Sequence, residues 1–88
     1  MSVAPPQAQP ARRIDARGLR CPLPVIRLEA ALRALPDGAV VTIRTDDPIA
    51  KLDVPHAARS GGHACVLVEE TSGSCVFAVT RGGEDAHG

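Results

Sequence analysis

The 88-residue chain has no tryptophan, no tyrosine and a single phenylalanine, Phe77. A core built from it must be aliphatic, and base stacking on aromatic platforms, the usual device for single-stranded nucleic acid, is excluded. A dominant charge is missing too: ten Lys and Arg offset ten Asp and Glu, so no net field draws the chain onto nucleic acid or an anionic membrane. Cysteine is sparse. Cys21, Cys65 and Cys75 form neither an even set nor a CxxC pair, which argues against a disulfide framework and a structural zinc site. A reducing, cytoplasmic setting fits. No apolar run approaches the roughly 18 residues of a membrane span, and the N-terminus lacks the apolar stretch of a secretory signal. Neither a cofactor nor a metal is expected. His56 and His63 sit at no ligand spacing and read as a solvent-facing helix residue and a strand-start residue.

What is present reads as one small domain between two tails. Residues 1–13 are rich in Pro, Ala and Gln without apolar periodicity, and residues 81–88 are polar and Gly-rich; both read as flexible. Within 14–80, Ile14 to Leu19 reads as a short strand running into a turn at Gly18. Pro22 to Leu35 reads as a helix with Val25, Leu28, Leu32 and Leu35 on one apolar stripe, closed by Pro36-Asp37-Gly38. Ala39 to Thr45 is β-branched and alternating, a strand. Asp47 then suits an N-cap and Pro48 a first helical residue. Pro55 predicts that this second helix comes in two pieces, restarted with Asp53 as a new cap, and that it ends at Gly61-Gly62. His63 to Glu70 and Ser74 to Thr80 form a hairpin around Thr71-Ser72-Gly73. The order β-α-β-α-β-β implies an α+β fold, a two-layer sandwich with both helices on one face of a four-stranded sheet.

The chemistry concentrates at Arg20-Cys21-Pro22-Leu23-Pro24. Proline is tolerated in a first helical turn, where its missing N–H has no intrahelical partner. Cys21 therefore reads as a helix cap, its sulfur beside unpaired N–H groups whose partial positive charge favours the thiolate. Arg20 adds a full charge. Arg12, Arg13, Arg17, Arg27 and Arg33 extend the basic character of this half, either as a rim around Cys21 or as ordinary solvated charge. Asp15 reads as a local turn or strand-end residue. Cys65 and Cys75 lie among aliphatic strand residues and read as inert core thiols. Cys75 falls opposite Glu69 or Glu70, leaving Cys65 about 15 Å away along the strand. A disulfide needs Cα atoms within about 7 Å, so the two do not pair.

Asp15-x-x-Gly18-x-x-Cys21-Pro22-x-Pro24, then Gly38, Asp46-Asp47-Pro48, Asp53-Val54-Pro55 and Gly62-His63, resembles the TusA (SirA-like) family of sulfur carriers. The resemblance spans residues 14 to 80. It implies a mixed sheet in which the last strand is inserted beside the second. It further implies that Cys21 carries sulfane sulfur as a persulfide and that Pro22 and Pro24 shape the loop presenting it. Sulfur would come from a cysteine desulfurase or a rhodanese and pass to an acceptor protein, for tRNA thiolation, molybdenum cofactor supply or sulfur oxidation. The chain departs from the family pattern at Ala57-Ala58, where many members have Trp-Cys, and at Arg27, where a Lys is common. The rival reading is a non-catalytic interaction or regulatory module using the same face, which would tolerate Cys21→Ser. A redox-sensing thiol is a third, without a resolving cysteine near Cys21 in sequence.

Overall fold

A computed structural model describes residues 10–83. The tail readings for residues 1–9 and 84–88 lie outside the described residues. Six elements follow in order: β1 (Arg12–Asp15), α1 (Leu23–Arg33), β2 (Val40–Thr45), α2 (Pro48–Ser60), β3 (Ala64–Glu70) and β4 (Cys75–Thr80). The sheet order is β1-β2-β4-β3, with β1 parallel to β2 and the other pairs antiparallel. This is the four-stranded mixed sheet with two helices of the sequence reading, and β4 does lie beside β2.

Alternation decides which face is covered. Val41, Ile43 and Thr45 of β2 and Cys75, Phe77 and Val79 of β4 are buried under the helices, while their intervening neighbours are half-exposed on the opposite face. Leu28, Ala31 and Leu32 of α1 and Ala50, Val54 and Ala58 of α2 complete an almost wholly aliphatic core. Val25 and Leu35 pack at its margin, so the apolar stripe of the first helix falls where its spacing put it. Glu70 pairs with Cys75 and Cys65 with Val79, which keeps the two strand thiols apart. A register shift between Leu67 and Glu69 irregularises β3, an edge strand that leaves Val66, Leu67 and Val68 exposed. Such irregularity is a common defence of a sheet edge against pairing with another chain.

Three elements, β1, α1 and α2, depart most from the sequence reading. β1 starts at Arg12 rather than Ile14 and ends at Asp15. Its pairing with β2 is made by backbone groups, from Arg12 opposite Val41 onward, and the exposed arginine side chains carried no apolar signal. α1 occupies Leu23–Arg33, with Pro22 as its N-cap rather than its first residue. α2 is continuous through Pro55 rather than two pieces. Pro55 has no N–H for the Lys51 carbonyl, but the burial of Ala50, Val54 and Ala58 on one face holds both halves against the same sheet. Packing outweighs the one lost bond. Gly62, at φ +84°, takes the left-handed conformation that closes α2. At the same end of the sheet, Arg81 pairs with the turn at residues 38–39, its side chain on the Leu35 carbonyl and near Asp37, and the Gly82 N–H donates to His63 Nδ1.

Candidate functional site

Because β1 and β2 run parallel and side by side, the loops that follow them leave the same end of the sheet. The first, residues 16–22, carries Cys21; the second, Asp46-Asp47, opens α2. Three carboxylates from the second loop and helix fasten the first. Asp46 Oδ1 accepts from the Gly18 N–H at 2.9 Å, and Asp47 Oδ2 accepts from the Cys21 N–H at 2.8 Å. Asp53 Oδ2, one and a half turns into α2, accepts from the Cys21 thiol at 2.8 Å. Gly18 itself sits at φ +84°, where a side chain would strain the turn that lifts the chain toward Cys21.

Asp47 does two tasks with one carboxylate. Its Oδ1 caps α2 by accepting from the Ile49 N–H at 3.1 Å, as its position before Pro48 foretold, while Oδ2 holds the Cys21 backbone. It is 5% exposed, and its own N–H is taken up by Thr45 Oγ1. A buried carboxylate is tolerated because N–H donors surround it.

Cys21 is exposed, whereas Cys65 and Cys75 are buried. The capping argument for a thiolate does not hold. Pro22 and Pro24 have no N–H to offer, and the Leu23 N–H is already given to the Arg20 carbonyl at 2.8 Å. Little of the helix's positive end is left for the sulfur. The thiol instead donates to Asp53, which pushes its pKa up; desolvation and the negative charges of Asp53 and Asp47 act in the same direction. The local field at Cys21 is acidic, not basic. Burial likewise pushes the Cys65 and Cys75 thiols up.

The remaining candidates fall into place around this loop. Pro24 is fully buried and anchors the first turn of α1, whereas Pro22 is exposed beside a cis Cys21–Pro22 bond. Arg20 is exposed and contributes its carbonyl. Asp15 is taken by Arg17, whose Nε and Nη2 lie at 2.9 and 2.7 Å, and this pairing holds its carboxyl well below the usual carboxylate range. It serves the loop's geometry and does not reach the sulfur. Arg17 is thereby committed to an ion pair, and Arg12, Arg13 and Arg27 line a separate groove between β1 and α1. A basic rim around Cys21 does not form from them. Leu23 and Ile26 at the start of α1, and Ile49 and Leu52 in the turn before Asp53 on α2, leave about half or more of their surface exposed. Exposed apolar side chains at the starts of two helices suit contact with another protein.

Asp53 is the residue that sequence reasoning misplaced, as a second helix cap. One signal was available. In a continuous helix its neighbours three and four positions away are Ile49, Ala50, His56 and Ala57, none of them a permanent cation, so its partner had to come from elsewhere.

Comparison with known proteins identifies the family and the fold. The family model described as Sulfurtransferase TusA matches residues 12–81. A Bacillus subtilis (strain 168) protein, YrkI, whose name marks it as a candidate sulfur carrier, is 38% identical over 58 residues, covering 66% of this chain and 75% of that protein. The crystal structure of a SirA-like protein from Desulfitobacterium hafniense superposes with a TM-score of 0.72 at 31% identity, over 84% of this chain and 99% of that one. None of the helices among the described residues is long and apolar enough to cross a membrane.

Proposed function

The chain belongs to the TusA family of sulfurtransferases and sulfur carriers, and from that premise we propose that Cys21 is the atom-carrying residue. It accepts sulfane sulfur as a persulfide from a donor protein, a cysteine desulfurase or a rhodanese, and relays it to an acceptor protein. The observation that carries the reading is exposure: of three cysteines, Cys21 is exposed and the other two are buried, and it sits on a loop fastened by three carboxylates.

The transfer is a displacement at sulfur without net oxidation. The Cys21 thiolate attacks the terminal sulfur of a donor persulfide, R–S–SH. A new S–S bond forms to Cys21 as the donor's S–S bond breaks, and R–S⁻ departs with the electron pair. Delivery is the same step with Cys21 as the leaving thiolate. An open surface suits both steps, because the reacting sulfurs belong to two proteins that must approach each other closely. The buried Cys65 and Cys75 offer no such access.

The test is to load the reduced protein with a sulfane-sulfur donor, trap persulfides with an alkylating reagent and map the digest. The extra sulfur is expected on the peptide containing Cys21 and on neither of the others. Sulfur on Cys65 or Cys75 instead, or none with any donor, would refute the assignment; the second result would favour an interaction module using the same face.

A further inference from the structure

Cys21 presents a paradox for a nucleophile: it is exposed, yet its proton is engaged by a carboxylate. We infer that Asp53 holds the Cys21 proton in the unpartnered protein, and that Cys21 becomes a nucleophile when a cationic side chain of the approaching sulfur donor or acceptor pairs with Asp53. The first half stands on geometry alone; the second rests on the carrier reading. The Sγ to Oδ2 separation is 2.8 Å, and the hydrogen bond bridges 32 positions of sequence, from the loop before α1 to the body of α2. The fold therefore places these two groups together. The charges acting most directly on the sulfur are Asp53 and, at the start of the same helix, Asp47, both negative. The adjacent Arg20 is not among them.

The consequence follows from elementary electrostatics. A thiolate next to two carboxylates is disfavoured, and a carboxylate already accepting the S–H bond stabilises the neutral form further. The free carrier thus keeps its exposed sulfur in the less reactive state, shielding it from adventitious oxidation and alkylation, which require the thiolate. A partner's Lys or Arg placed on Asp53 would neutralise the carboxylate and compete for its lone pairs. Exposed Ile49 and Leu52, in the turn of α2 just before Asp53, give such a partner an apolar foothold beside the charge. Once sulfur is loaded, the terminal atom lies about 2 Å further out along the new S–S bond. If anionic, it is repelled by the same carboxylates, toward the acceptor.

The experiment uses the full chain and two readouts that need no sulfur donor. The first is the rate of Cys21 alkylation by iodoacetamide across pH, for the native protein and Asp53→Asn, with circular dichroism to show that the variant folds. The native midpoint is expected above the ordinary thiol value and the variant's below the native one. Because a less basic thiolate is also a weaker nucleophile, the rate at pH 7 is expected to rise a few-fold, less than the thiolate fraction itself. The second readout compares exchange of Cys21 with a cationic disulfide, cystamine, and an anionic one, dithiodiglycolate. Cystamine is expected to react several-fold faster with the native protein, and the preference to shrink in Asp53→Asn.

A native midpoint at or below the ordinary thiol value, or no shift in a folded variant, would overturn the inference. A native preference for cystamine no larger than that of free glutathione, which corrects for the different leaving thiols, would overturn its second half, and that arm decides even if Asp53→Asn does not fold. If both readouts behave as expected while sulfur loading fails, the carrier reading falls and the assignment of Asp53 stands.

Discussion

Asp47→Ala removes a carboxylate that serves two backbone donors. It caps α2 through the Ile49 N–H and ties down the Cys21 N–H at 2.8 Å, from a site 5% exposed. Losing an Asp N-cap costs about 0.5–2 kcal/mol. Leaving a partly buried N–H without its charged acceptor costs about 1.5–3 kcal/mol. The two share one side chain and do not add fully, so a total of about 2–4 kcal/mol is expected. A domain of about 70 residues has about 4–10 kcal/mol to lose, so the variant folds but melts about 10–25 °C lower. Asp46→Ala is the internal comparison, because Asp46 makes a single bond, to the exposed Gly18 N–H, worth about 0.5–1 kcal/mol. Urea unfolding of both variants gives the ratio directly. Equal effects, or an Asp47→Ala loss below about 0.5 kcal/mol, which is the range of ordinary surface substitutions, would refute the reading of Asp47 as the shared fastening point of loop and helix.

Three further outcomes are expected. Leu28 is fully buried between α1 and the sheet, so Leu28→Ala should cost about 2–5 kcal/mol by urea unfolding, and Leu28→Met under about 1.5 kcal/mol. Gly18→Ala meets open space but a positive φ, so its cost of about 1–2 kcal/mol comes from backbone conformation alone and should lower the midpoint of urea unfolding without changing its slope. In a neutral-pH alkylation time course, Cys21 should react first and Cys65 and Cys75 only with the rate of unfolding, since burial both hides the strand thiols and disfavours their thiolates.

Most of the fold was legible because the signals are local. The stripe Val25-Leu28-Leu32-Leu35, Asp47 before Pro48, and glycines at the helix end each act within a turn or two of chain. The topology, with β4 between β2 and β3, entered through family resemblance and not through periodicity. What the sequence reading got wrong at the site was the sign of the field. It placed Cys21 under local influences, Arg20 and the first turn of α1, whereas the groups that act on the sulfur are 26 and 32 positions away, on α2. The prolines that marked the motif also strip that turn of N–H groups, a consequence visible in the sequence once the cap is placed at Pro22 instead of Cys21. Pro55 misled in the opposite direction. A local rule predicted a break, and burial of Ala50, Val54 and Ala58 kept the helix whole.

Cys21 as sulfur carrier is tested most directly by intact mass. The reduced native protein and Cys21→Ser are each incubated briefly with a sulfane-sulfur donor and weighed. The native protein is expected to gain one sulfur atom that a thiol reductant removes, and Cys21→Ser, whose hydroxyl cannot hold a persulfide, to gain none. A reversible gain that persists in Cys21→Ser would contradict the assignment and move the transfer site to Cys65 or Cys75.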